Sequence, residues 1–293
     1  MITQPRVTLL HMPPVDVAAA MIWAVWENAK TRHTSRTIQE VTLTVPKEQM
    51  IAHFIEVMAQ DLPVAEFINM VWVVENVSRA FMDQLDRHRQ AAFWEQSFRV
   101  LDLRTFFTDK GYWVSPTMAM NEVGQEIYDQ AMFLAQRAYI SLLEAGVPSE
   151  EARGVIPLHT NIRASFVINW RHFRRMVSSR SCFMAQGSYW APVVRGFIVE
   201  LERHGWPKEL LDQMRELPCD PSGRCPVELN MRMRLTEEDL NPVCPVFVNI
   251  LPEAERTVTL QLMRERFGDK IYGDIVEEYQ QFLGGRALIP KGG

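Results

Sequence analysis

Lysine is scarce in this chain of 293 residues, since only six of its 31 basic residues are lysines. Arginine, which makes up the rest, forms bidentate pairs with phosphates and carboxylates, whereas lysine acts more as a hydrated point charge. The net charge is −5, so the strong positive field that a general nucleic-acid coat needs is absent. The composition therefore favours a small anionic ligand and no nucleic-acid partner.

Long apolar runs are also missing. No stretch approaches the roughly 18 uncharged apolar residues of a membrane-spanning helix. Residues 1–14 lack a basic start followed by an apolar stretch and a cleavage site. A soluble, cytoplasmic protein without a membrane partner is expected.

Cysteine is limited to Cys182, Cys219, Cys225 and Cys244. Without a secretion signal, these residues are expected to be reduced thiols rather than a disulfide framework. The spacing from Cys219 to Cys225 is too wide for a zinc-binding pair, and the histidines form no ligand pattern. We expect no metal site.

Hydrophobic periodicity predicts strands at about residues 6–12, 67–74 and 161–169, and helices at about 16–30, 44–58, 122–145 and 170–180. A further helix is predicted from about Val77 into Arg87-His88-Arg89, and helical patterns dominate from 186 to 213. The segment 219–252 is interrupted by prolines, and two more helices are predicted at 253–267 and 271–284. The expected class is α+β, with a mixed sheet flanked by helices and extra C-terminal helices.

Acidic residues are absent between Glu151 and Glu200, a stretch that contains seven arginines: Arg153, Arg163, Arg171, Arg174, Arg175, Arg180 and Arg195. On a helix, Arg171, Arg174 and Arg175 crowd one face. They would repel each other unless a ligand or a distant partner neutralised them. This stretch is a candidate anion site.

A second cluster mixes cations with an amide, a carboxylate and a hydroxyl, in Gln84, Arg87, His88, Arg89, Glu95, Ser97 and Arg99. The arginines can hold a phosphate through charge-assisted hydrogen bonds, and the amide or the carboxylate can read a base or a ribose. This mixture suits a nucleotide monophosphate.

Arg87-His88-Arg89, seven further residues and Ser97 reproduce the RHR-x7-S signature, and in this region the chain resembles the flavin-dependent thymidylate synthases. A second block follows the family's order, with Ala145 to Arg153, Ile156-Pro157, Asn169-x-Arg171 and Arg180. The resemblance covers about residues 5–205. It implies a catalytic domain at 1–205 and a C-terminal extension of unknown role at 206–293.

The resemblance also implies roles for individual residues. It assigns FAD contacts to Arg87, His88, Arg89, Gln90, Glu95, Asn169, Arg171 and Arg175. It assigns contacts with deoxyuridylate (dUMP) to Gln84, Arg87, Glu95, Gln96, Ser97, Phe98, Arg99, Arg153 and Arg180. Arg180 is the implied catalytic residue, because a guanidinium aimed at a carbonyl oxygen stabilises the negative charge that makes C5 of uracil nucleophilic.

The implied reaction moves a one-carbon unit from methylenetetrahydrofolate to C5 of dUMP, giving dTMP, with NADPH as reductant. The implied assembly is a homotetramer with sites shared between subunits. Ser97 is not expected to be a nucleophile, because the sequence places no base beside it. Trp170, Phe173, Phe183 and Trp190 are expected to be packing residues.

Departures from the family pattern cluster at the presumed pocket, at Phe67, Asn69, Asp86, Ala92, Phe98, Val100 and Arg175. Two alternatives therefore stay open. One is a flavin-dependent dUMP hydroxymethylase or another enzyme that modifies C5 of a pyrimidine nucleotide. The other is a non-catalytic, arginine-lined protein that binds nucleotides or nucleic acid.

Overall fold

The computed structural model describes residues 4–30, 37–119, 121–181 and 187–214. Its strands are β1 (Arg6–His11), β2 (Asn69–Ser78), β3 (Ala92–Glu95) and β4 (Asn161–Asn169). They form one sheet in the order β1-β2-β4-β3, and all of its pairings are antiparallel. The α+β class is confirmed, but in the described ranges the sheet is antiparallel rather than mixed.

The helices within those ranges lie between the strands and after the last strand in sequence. They are α1 (Val15–Lys30), α2 (Ile38–Leu43), α3 (Lys47–Ala59), α4 (Arg79–Leu85), α5 (Pro116–Ala119), α6 (Glu122–Glu144), α7 (Ser149–Ala152), α8 (Trp170–Arg180), α9 (Gly187–Arg203) and α10 (Lys208–Met214), with 3₁₀ turns at Pro63–Phe67 and Arg153–Val155. Within this part of the chain, no helix is both long and apolar enough to cross a membrane.

The main core lies between one face of the sheet and helices α8 and α9. Trp72 of β2 is paired in register with Phe166 of β4, and both side chains are almost fully buried. The Trp72 ring stacks on Phe173 of α8 with 5.2 Å between centroids, and meets Phe197 of α9 edge-on at 4.9 Å. Aromatic pairs in these geometries add to the energy of area burial. Helices α8 and α9 are thereby fixed against the sheet.

Helix α9 also crosses strand β1 at very close range. A Cβ atom at Gly196 would lie 2.6 Å from Cγ2 of Val7, so a glycine is needed at this crossing. One turn later, Oε2 of the buried Glu200 accepts a hydrogen bond of 3.2 Å from the Leu9 N–H. This carboxylate satisfies a backbone donor on an edge strand, which would otherwise be buried without a partner.

The prediction of a helix running into Arg87-His88-Arg89 is wrong. Helix α4 begins only at Arg79, because the Ser78 Oγ accepts a hydrogen bond from the Phe81 N–H and caps the helix. The helix ends at Leu85, and residues 86–90 form a turn. Strand β2 likewise begins and ends later than predicted, since the segment before Asn69 is a 3₁₀ turn.

The C-terminal part of the chain is described only as far as Met214. Trp206, Leu210 and Met214 are buried in the main core, so the packed structure continues past residue 205. The predicted helices at 253–267 and 271–284 lie outside the described residues. The division into 1–205 and 206–293 stays a prediction.

Candidate active site

The turn after α4 meets the C-terminal end of α8 at Arg180. The Arg180 guanidinium donates from Nε to Nε2 of His88 at 3.2 Å, and from Nη2 to the backbone oxygen of Gln84 at 3.1 Å. Its Nη1 lies 3.3 Å from the side-chain Oε1 of Gln84. Two segments about 90 residues apart in sequence are thus joined by direct hydrogen bonds.

Trp190 of α9 completes this group. The Arg180 guanidinium carbon lies 4.8 Å from the centroid of the Trp190 ring, within the range of a cation–π contact. The indole N–H donates to Oε1 of Gln84 at 2.9 Å, and the side chain is fully buried. We refer to Gln84, His88, Arg180 and Trp190 as the Arg180 cluster.

The charges in the Arg180 cluster are set by burial and by neighbouring arginines. Burial, assisted by the charge of Arg180, lowers the pKa of His88 from 6.5 to about 4. A neutral His88 has a lone pair on Nε2, as it must to accept the hydrogen bond from Arg180. Burial and the nearby Arg87 lower the pKa of Arg180. Arg87 and Arg180 therefore lie close enough to interact, as the two basic stretches were predicted to do.

Glu95, at the end of β3, has one carboxylate oxygen engaged and one without a partner. Its Oε1 pairs with Nη1 of Arg79 at 2.6 Å, while the buried Oε2 has no hydrogen-bond partner in the described ranges. Burial, followed by the charge of Glu95, raises the pKa of the nearby Asp86. A buried acceptor without a partner is rare in folded proteins, and here it fits a ligand N–H or O–H.

The segment that follows β3 is held in place by hydrogen bonds to other residues of the chain. Oε1 of Gln96 accepts from the Arg163 N–H at 2.8 Å, and Oγ of the exposed Ser97 accepts from the Arg99 N–H at 3.2 Å. Phe98 is half-buried against the apolar core. The Ser97 hydroxyl is thus part of a local turn, and the described contacts place no base beside it.

Arg99 and Arg153 meet at Glu150. The Arg99 Nε lies 3.8 Å from Oε2 of Glu150, and Nε of Arg153 donates to the Glu150 backbone oxygen at 2.9 Å. The block from Ala145 to Arg153 is therefore joined to the segment that carries Ser97. Both guanidiniums remain at the surface, where they can reach a phosphate.

The N-terminal end of α8 carries a different set of contacts. Oδ1 of Asn169 caps the helix by accepting from the His172 N–H at 3.1 Å. Arg171 pairs with Asp61 at 2.9 Å and with Glu66 at 2.6 Å, and Arg175 also pairs with Asp61. Although burial opposes it, the hydrogen bonds from Arg175 and Arg171 lower the pKa of Asp61.

These carboxylates explain how the arginines of α8 can lie close together, whereas the anion site itself stays a prediction. No acidic residue lies near these arginines in sequence, but the link between α3 and β2 brings Asp61 and Glu66 onto the partly buried Arg171, and Asp61 also onto the exposed Arg175. Arg174 is used structurally, since its Nη1 donates to the backbone oxygens of Met58 and Ala59. The sequence left open whether a ligand or a distant partner neutralises these arginines, and the structure shows distant partners.

The predicted residues thus fall into separate groups. Gln84, Arg87, His88 and Arg180 converge at the C-terminal end of α8, whereas Asn169, Arg171 and Arg175 lie at its N-terminal end. Arg180 lies nine positions after Arg171, which corresponds to about 13.5 Å along a helix. Arg89 and Gln90 are exposed in the turn between α4 and β3.

Two features of the site were missed by sequence reasoning. Trp190 was expected only to pack, yet it also contacts Gln84 and Arg180. Asp61 and Glu66 were not connected with the arginines of α8. No local pattern signals either contact, because both depend on how distant segments pack.

Cations, a buried acceptor and amide groups in one place suit a dinucleotide or a nucleotide. Arg87 and Arg180 offer positive charge for an anionic or polarised group, and Oε2 of Glu95 offers an acceptor. Asn169, Arg171 and Arg175 can add contacts only where their present partners are exchanged. The residues present fit FAD and a nucleotide monophosphate.

Comparison with solved structures finds a similar fold. ThyX of Helicobacter pylori, determined with FAD and dUMP, superposes with a TM-score of 0.51 at 17% sequence identity, over 72% of this chain and 99% of that one. At this level of identity, the match establishes the fold alone.

Related sequences carry one name. The flavin-dependent thymidylate synthase of Geobacter sulfurreducens is 28% identical over 197 residues, which cover 67% of this chain and 79% of that protein. The enzyme of the same name from Sulfolobus acidocaldarius is 33% identical over 113 residues, or 39% of this chain and 42% of that protein. The sequence profile of the Thy1 family, described as thymidylate synthase complementing protein, matches residues 9–190. Because this match spans more than half of the chain, the protein belongs to the Thy1 family of thymidylate synthase complementing proteins.

Proposed function

We propose that this protein is a flavin-dependent thymidylate synthase, which transfers a one-carbon unit from methylenetetrahydrofolate to C5 of dUMP with NADPH as reductant. The observation that carries the proposal is the convergence of Arg180 with Gln84, His88 and Arg87 at one site. Membership of the Thy1 family and the names of its relatives support the same activity.

Arg180 is suited to polarise the pyrimidine. Its hydrogen-bond partners in the described ranges, Gln84 and His88, are neutral, so the guanidinium charge is not cancelled within the Arg180 cluster. A fixed cation aimed at a uracil carbonyl stabilises the negative charge that makes C5 nucleophilic. The preorganised contacts also avoid reorganisation of the side chain when that charge develops.

The remaining residues bind and orient. Arg87, Arg99 and Arg153 would hold the dUMP phosphate, and Gln84, Glu95, Gln96, Ser97 and Phe98 would surround the nucleoside. FAD would be held by Arg87, His88, Arg89, Gln90, Glu95, Asn169, Arg171 and Arg175. Bound FAD supplies the one-carbon and redox chemistry, for which these side chains provide position and charge.

A homotetramer in the cytoplasm is the assembly that we propose. Exposed apolar side chains support self-association, because Val123, Ile127 and Leu134 line one side of α6 and are each at least 64% exposed. Trp94 and Val100 are 84% and 86% exposed. Apolar surface of this extent marks interaction sites. Light scattering coupled to size-exclusion chromatography tests the assembly.

The activity is tested with purified protein, dUMP, methylenetetrahydrofolate and NADPH. We expect a yellow protein with bound flavin and a product with the mass of dTMP. A product heavier by one oxygen would identify a hydroxymethylase instead. A colourless protein that takes up no added FAD would overturn the proposal.

The variant Arg180→Ala tests whether this residue is needed for the reaction. We expect loss of turnover by a factor of about 10² or more, as for removal of a single stabilising donor, with flavin still bound. Arg104→Ala is the matched control, because this exposed guanidinium pairs only with the nearby Asp102 among the described contacts. Equal turnover in both variants would contradict the role of Arg180.

A further inference from the structure

Trp190 contacts the candidate catalytic residue through its ring face and a neighbouring site residue through its N–H. The Arg180 guanidinium lies over the ring at 4.8 Å, the indole N–H donates to Gln84 at 2.9 Å, and the ring meets His88 edge-on at 6.2 Å. A single buried side chain thus touches three predicted site residues.

We propose that Trp190 is a positioning residue, which holds the Arg180 guanidinium in place and fixes the orientation of the Gln84 amide. This inference rests on the proposed function, because it assigns a role to Trp190 in the same site. It adds Trp190 to the predicted site residues, at the last position of the match to the Thy1 family profile.

The ring adds a contact to those that hold the guanidinium. Nε and Nη2 donate to His88 and to the Gln84 backbone, and Nη1 lies 3.3 Å from Oε1 of Gln84. The guanidinium carbon also lies 4.8 Å from the centroid of the Trp190 ring, where a cation–π contact favours it. Trp190 therefore restricts movement of the guanidinium within the Arg180 cluster.

The Gln84 amide is fixed by two donors. Both the Trp190 N–H and Nη1 of Arg180 approach Oε1 of Gln84, so the amide oxygen faces the Arg180 cluster. The amide NH₂ must then point the other way, because oxygen and nitrogen occupy opposite branches of the same group. Loss of the indole donor removes one of the described contacts with Oε1.

Packing alone does not require these polar contacts. Trp190 also lies 4.5 Å from Phe81 between ring centroids, and this apolar contact can be made by any aromatic ring. Trp190→Phe keeps the aromatic face and removes the N–H, whereas Trp190→Leu removes both. The two variants therefore separate the hydrogen bond from the ring.

Trp206 offers a matched control. It is also buried, packs on Phe54 at 5.5 Å and Trp170 at 5.0 Å, and its indole nitrogen has no hydrogen-bond partner in the described part of the chain. Trp206→Phe and Trp206→Leu leave comparable cavities in the same core without touching the Arg180 cluster. They measure the effect of packing loss by itself.

The experiment measures kcat, KM for dUMP, the dissociation constant for FAD, and binding of dUMP by calorimetry. We expect kcat to fall about 5-fold in Trp190→Phe, as for one hydrogen bond, and about 50-fold in Trp190→Leu, where the ring is also lost. FAD affinity should stay within about twofold of that of the Trp206 variants, since His88 is the one proposed FAD contact that Trp190 meets among the described residues, and only edge-on at 6.2 Å. Equal kcat values in the Trp190 and Trp206 variants would overturn the inference.

A double-mutant cycle separates this inference from the proposed function. If Trp190 acts through Arg180, Trp190→Phe weakens dUMP binding in the wild type but has no further effect on it when Arg180 is already alanine. Additive effects on dUMP binding would refute positioning, even in a fully active wild type. Coupling in an inactive wild type would instead uphold the contact and reject the proposed reaction.

Discussion

His88 makes the stability of this protein depend on pH in a direction opposite to that of most paired histidines. Burial and Arg180 lower the pKa of His88 from 6.5 to about 4. Below about pH 6.5 the unfolded chain protonates His88 while the native protein does not, so the unfolded state binds more protons. The contribution of His88 is therefore present at neutral pH and is lost as the pH falls from about 6.5 to about 4.

The size of the effect follows from the two pKa values. Linkage between 6.5 and about 4 gives a loss of about 2 kcal/mol when the pH is lowered from about 8 to about 5. Because His88 is only half-buried, we reduce this figure to about 1 kcal/mol for solvent screening. A difference of this size shifts a urea midpoint by roughly 0.3–1 M.

The assay is urea unfolding of the wild type and His88→Gln at about pH 8 and about pH 5, at one protein concentration. Glutamine cannot titrate but still offers an oxygen to Arg180. We expect the wild type to lose about 1 kcal/mol more than His88→Gln over this interval. His11→Gln, at an exposed position, controls for the substitution itself. Identical losses in wild type and His88→Gln would refute a buried, neutral His88.

Three further predictions concern stability and charge. Ser78→Ala removes the cap of α4, and we expect a loss of about 1 kcal/mol in the free energy of unfolding, whereas Ser78→Asp should retain part of it. Gly196→Ala places a methyl group 2.6 Å from Val7, so we expect a loss of about 1–3 kcal/mol, and an unchanged melting temperature would contradict the close crossing. Asp61→Asn removes the paired charge from Arg175 and one of the two carboxylates paired with Arg171 among the described contacts, and we expect tighter FAD binding in a titration followed by flavin absorbance. Weaker binding would show that Asp61 supports the site rather than competes for it.

Local sequence patterns predicted those parts of the fold that local physics controls. Helix α6 was placed correctly because its apolar face repeats along 23 residues and Gly146 ends it with a positive φ of 84°. Strand β4 and helix α8 were also predicted at their observed positions. Strand β3 was missed, because four residues carry little periodicity and the strand exists only through pairing with β4.

The candidate site was predicted through motifs rather than through geometry. The RHR segment and Arg180 identified two parts of the Arg180 cluster, and the hydrogen bond between His88 and Arg180 shows that they meet. Trp190 and Asp61 were not connected with the site, because each lies in a different segment from the side chains it contacts. Such contacts follow from the packing of α3, α8 and α9, which no local spacing specifies.

The arginines along helix α8 differ in whether a carboxylate neutralises their charge. At the N-terminal end, Asp61 and Glu66 already neutralise Arg171 and Arg175, so an anion must displace a carboxylate to bind there. At the C-terminal end, Arg180 has neutral hydrogen-bond partners among the described residues, and its charge remains available. Since Coulomb attraction depends on uncancelled charge, the C-terminal end is where a nucleotide ring gains most from a nearby guanidinium. The distribution of carboxylates along this helix therefore supports our proposal that Arg180 polarises the nucleotide ring while the other arginines contribute to affinity.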